Sequence, residues 1–72
     1  MKTILVFKTS VGSKRKIRWL APKLNRLVTK NGHWNFDLED CDNILRVEAQ
    51  DLDAHSIEML FDRLGFLCEE LH

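Results

Sequence analysis

A chain of 72 residues, 44% hydrophobic and 31% charged with three Gly and one Pro, suits a single small domain over residues 1–72 and excludes a disordered chain. Two cysteines exclude a disulfide framework, and no apolar run reaches the length of a signal or membrane segment, so a cytoplasmic, reduced setting is expected with no membrane role. Formal net charge is zero but unevenly placed: all eleven acids follow Phe36, and nine of the eleven Lys and Arg precede Asp37.

The apolar run Thr3–Phe7 and its continuation to Thr9 show no alternation, which predicts a central strand buried on both faces. Ser10 or Ser13 then caps a helix, because a hydroxyl accepts from a free N–H of the first turn. Ile17, Leu20, Ala21, Leu24, Leu27 and Val28 recur at helical spacing and form its apolar face. Lys14, Arg15, Arg18, Lys23, Arg26 and Lys30 cover much of the rest. Pro22 predicts a bend within this helix, and Asn31-Gly32 its stop.

From His33 to Glu39 apolar and polar residues alternate, with Trp34, Phe36 and Leu38 on one face. Asp40–Asn43 is turn chemistry, and Ile44–Ala49 is the return strand with Leu45 and Val47 inward. Asp53 is a plausible N-cap for a second helix whose stripe is Ile57, Leu60, Phe61 and Leu64. Gly65 ends that helix in the left-handed conformation, and Phe66–Leu71 is long enough for a last strand. The order βαββαβ predicts an α+β, ferredoxin-like sandwich: a four-stranded antiparallel sheet with two helices on one face.

With those elements placed, the chain resembles, from end to end, the heavy-metal-associated domains of copper chaperones and metal-pumping ATPases. That family carries Met-Thr-Cys-x-x-Cys on the first strand–helix turn, where this chain has Lys8-Thr9-Ser10-Val11-Gly12-Ser13. Trp34-Asn35-Phe36-Asp37-Leu38-Glu39 matches the family's second strand, and Gly65-Phe66 its late Gly-Tyr. The resemblance implies that the first turn, the Asp40–Asn43 hairpin and Gly65-Phe66 share one end of the domain. It also implies a metal motif lost, since Ser10 and Ser13 stand for the cysteines and Lys8 for the methionine. Soft ions such as Cu(I) need thiolates, and a neutral hydroxyl beside a lysine charge offers neither softness nor attraction.

No cofactor and no catalytic pair is read here: His33, His55 and His72 are scattered, and none is placed by sequence to activate a serine. The expectation is a non-enzymatic protein-interaction module docking through Lys8, Ser10, Ser13, Lys14, Arg15 and Trp19. Trp19 lies off the apolar stripe between Arg15 and Lys23, where it either packs under those cations or anchors a partner. The alternative is a metal carrier or sensor using Cys41, Glu39 and Asp42, against which acidic hairpin residues are ordinary turn formers. The turn at Ser10–Ser13 could cradle an anion, but P-loop spacing is missing. A nucleic-acid role is disfavoured, because the charge halves partly cancel across a small domain at a Debye length of about 8 Å. Cys68 is read as a small core hydrophobe too far from Cys41 for a disulfide. An open edge strand leaves a homodimer within reach.

Overall fold

The computed structural model describes residues 2–28, 32–39 and 41–71. The elements run β1 (Lys2–Thr9), α1 (Lys14–Leu27), β2 (His33–Asp37), β3 (Ile44–Gln50), α2 (Ala54–Arg63) and β4 (Cys68–Glu70). They form one antiparallel sheet in the order β2-β3-β1-β4, backed by the helix pair, which is the ferredoxin-like α+β sandwich expected from the pattern. No described helix is long and apolar enough to cross a membrane.

The core lies between one sheet face and the helices. Phe7, Leu20, Leu24, Leu45, Val47, Ile57 and Phe61 are completely enclosed, so both helical stripes and the inward residues of β3 fall where the periodicity puts them. The expectation for β1 fails on one face. Leu5, Phe7 and Thr9 point to the helices, whereas Ile4 is 63% exposed and Val6 half-buried. Both helices cover the same side of the sheet, so even its central strand keeps a solvent face that an unbroken apolar run does not disclose.

Ser13 is the N-cap of α1, its Oγ accepting from Lys16 N–H at 3.3 Å, and Pro22 lies inside the helix without ending it. The helix stops at Leu27, sooner than expected, with the Val28 N–H donating to the Leu24 carbonyl at 2.7 Å. Thr29, Lys30 and Asn31 of the expected stop lie outside the described residues, as do Asp40 of the hairpin and His72. Strand β2 ends at Asp37, whose carboxylate accepts from Glu39 N–H, so Leu38 belongs to the turn. The indole N–H of Trp34 donates to Asn25 Oδ1 at 2.8 Å and ties β2 to α1.

Asp53 caps α2 by accepting from the Ser56 N–H and hydroxyl, and the bonds from Ser56 hold its carboxyl below the ordinary value. At the other end Gly65 adopts φ +84°. Its N–H donates to the Asp62 carbonyl, and Phe66 N–H to that of Phe61. This is a complete Schellman ending, closed by edge-to-face contact of Phe61 and Phe66 at 6.3 Å. Of the expected last strand Cys68–Glu70 forms the ladder with β1, and Leu71 adds one bond from its N–H to the Val6 carbonyl at 2.8 Å.

Candidate functional site

Three segments converge at the end of the sandwich where β1 runs out. Thr9 joins the first two: its N–H donates to the Asp42 carbonyl at 3.1 Å and its hydroxyl to the Asn43 carbonyl at 2.7 Å. The same hydroxyl accepts from Val11 N–H, so this buried group is fully satisfied and folds the turn back on itself. Asn43 receives the strand end in the left-handed region, φ +48°, where Asn is the best tolerated residue with a side chain. Its side chain also faces Gly12, where an added methyl would come within 3.5 Å of the Asn43 amide nitrogen.

Ser10 joins the third segment. Its N–H donates to the Leu67 carbonyl at 3.1 Å, and its Oγ accepts from Leu67 N–H at 2.9 Å. Val11 plugs the core with no exposed surface. With the Ser13 hydroxyl committed to the helix cap, the turn is pinned by one buried methyl pair and two engaged serines. It is not an open cradle.

The donor set does not fit a soft metal ion. Ser10 and Ser13 offer neutral hydroxyls that already accept backbone hydrogen bonds, and Lys8 places a cation at the same end, its ammonium 3.7 Å from the Asp42 carboxylate. Cys41 is exposed on the hairpin. Among the described residues no three His, Cys, Asp or Glu side chains are grouped to hold an ion, so Cys41, Glu39 and Asp42 are not brought together as a ligand set.

What the structure does gather is an apolar and cationic surface beside the turn. Trp19 is 50% exposed on α1, with the Lys23 ammonium 4.1 Å above its ring and Phe66 meeting it edge to face at 6.2 Å. Lys16 stands over the Phe66 ring, its ammonium 6.0 Å from the centroid. Leu67 follows at 76% exposure, and Met59 is exposed on α2. Together with Cys68 these two residues and Phe66 line an open recess of about 300 Å³, whose α2 side also carries His55, Glu58 and Asp62. A second recess of about 240 Å³ lies between Lys8, Ser10 and Glu69.

Of the six expected docking residues, Lys8, Ser10, Lys14, Arg15 and Trp19 are exposed and Ser13 is half-buried. Sequence reading put Gly65-Phe66 at this end of the domain but missed Leu67 and the contact of Phe66 with Trp19, which complete the surface from the far end of the chain. The Gly65 signal places a loop there but not its contact with α1. Cys68 packs against the core, and burial, then the Glu58 charge, pushes its thiol up to about 12. Cys41 and Cys68 are both free thiols. The chain matches no protein-family model, no curated protein and no solved structure.

Proposed function

We propose that this chain is a heavy-metal-associated-type domain with a degenerate metal loop, a cytoplasmic and non-catalytic module that docks a protein partner. The docking surface runs from Lys8, Ser10 and Ser13 along Lys14 and Arg15 to Trp19. The observation that carries the reading is Trp19: a tryptophan half exposed, braced from beneath by Phe66 and roofed by Lys23. A large rigid side chain held in one orientation loses little freedom on binding, which is why tryptophan so often anchors interfaces. The surrounding Lys16 and Lys23, with exposed Leu67 alongside, suit an acidic segment bearing an apolar anchor. The hydroxyls at the positions aligned with the family's cysteines serve the fold, which supports docking over ion carriage.

The test uses the immobilised chain and its Trp19→Ala variant as paired baits. A partner retained by the wild type in a salt-sensitive manner, and lost by a variant that melts at the same temperature, supports the reading. Equal retention by both places docking elsewhere. Saturating one-to-one amide shifts at Cys41 and the Ser10 turn on adding Cu(I) or Zn(II) would favour the carrier that uses Cys41, Glu39 and Asp42.

A further inference from the structure

The two edges of the sheet are built differently. Strand β4 is three residues long and ends in Glu69 and Glu70, so pairing with itself would oppose like charges. Short, acidic edges of this kind resist adding another strand. Strand β2, the other edge, is His33-Trp34-Asn35-Phe36-Asp37: five residues with no Pro, no Lys and a single acid, Asp37. One side of it pairs with β3, in the register His33↔Glu48 to Asp37↔Ile44. The other side presents backbone donors and acceptors that no strand of this sheet uses.

The order of those five residues is self-complementary. Two copies of a strand related by a twofold axis normal to the sheet run antiparallel, and opposed residues must share a face. That condition excludes registers centred between two residues, since they would set an inward aromatic against an outward polar side chain. Centred on Asn35, the pairing sets His33 against the partner's Asp37 at both ends, and Trp34 against the partner's Phe36 on the helix side. Exposure alternates to match, with Trp34 and Phe36 half-buried and His33, Asn35 and Asp37 exposed. Trp34 and Phe36 already meet edge to face at 6.1 Å within the strand, so pairing would extend an existing aromatic contact. Shifting the centre by one residue in either direction, to Trp34 or Phe36, leaves His33 or Asp37 facing Asn35 and breaks the set.

We infer that β2 is a homodimer seam: a second copy of this chain adds across it, centred on Asn35, to double the sheet with both helix layers on one side. The seam is distinct from the Trp19 surface, so it stands or falls independently of the docking partner. Its small extent makes the dimer a weak one.

Sedimentation equilibrium from micromolar to millimolar concentration tests it, on the wild type, His33→Asp, Asp37→His and the double swap His33→Asp/Asp37→His. Each single change opposes like side chains at both ends of the seam and should weaken association by about tenfold. The double swap restores opposite partners and should recover the wild-type constant. His33 also faces Glu48 of β3, so unfolding midpoints are read alongside to separate lost association from lost fold. If a variant fails to fold, amide exchange of the wild type decides: protection at His33–Asp37 must rise with concentration. A monomer throughout the range, or a dimer indifferent to His33→Asp in a folded variant, overturns the inference. So does a folded double swap that fails to recover.

Discussion

Ser10 and Leu67 exchange two hydrogen bonds: the serine N–H reaches the leucine carbonyl at 3.1 Å, and the leucine N–H returns to the serine hydroxyl at 2.9 Å. A side chain 57 positions away thus closes the loop that leads from α2 into β4. Ser10 is a clasp between the two ends of the chain.

Removing that hydroxyl in Ser10→Ala strands the Leu67 N–H and should cost about 1 kcal/mol. Ser13→Ala removes the helix cap and should cost about 1 kcal/mol as well. Urea unfolding of both variants reads the loss, and wild-type midpoints in both would show that neither hydroxyl supports the fold.

Placing sulfur in the turn tests the chemistry of the loop. The Ser10→Cys/Ser13→Cys double variant should bind Cu(I) more tightly than the wild type, because two thiolates at these positions supply the soft donors that neutral hydroxyls do not. Competition against a Cu(I) chelator measures it. A variant no better than the wild type would mean that the pinned turn, and not its donor atoms, prevents binding.

Gly65 at φ +84° aims Phe66 beneath Trp19. Gly65→Ala meets no neighbour but strains the backbone, at a cost of about 1 kcal/mol. Trp19 should become more mobile, seen as a change in tryptophan emission relative to a Trp34→Phe background that leaves only Trp19 to report.

The two thiols should behave differently. Cys68, whose thiol is raised from 9.0 to about 12, stays protonated and inert to a maleimide near neutral pH, while exposed Cys41 is accessible. Peptide mapping should find the label on Cys41 alone until the protein is unfolded. Because the folded thiol titrates higher than the unfolded one, its contribution to stability is complete below pH 9.0 and declines as the pH rises towards about 12. Replacing Cys68 by Ala should remove that part of the alkaline decline.

The fold was legible in the sequence because most of its signals are local. Helical spacing, the caps Ser13 and Asp53, and Gly65 each act within a turn or two of themselves. What stayed hidden depends on distant partners. Nothing in Thr3–Phe7 tells that both helices cover one side, so the exposure of Ile4 was missed. The length of β4 depends on pairing with β1, and its apolar neighbour Leu67 lies outside the ladder at 76% exposure. The candidate surface was half legible for the same reason: Trp19 stood out among its cations, but Phe66 reaches it only after α2 has packed.

The most direct measurement of the central claim is an amide NMR titration of the wild-type protein with Cu(I) and Zn(II), read at Ser10, Ser13, Cys41 and Leu67. The account predicts no saturating, stoichiometric shift at this end of the sandwich, with the Ser10–Leu67 exchange intact. A one-to-one saturating shift there with either ion would contradict it.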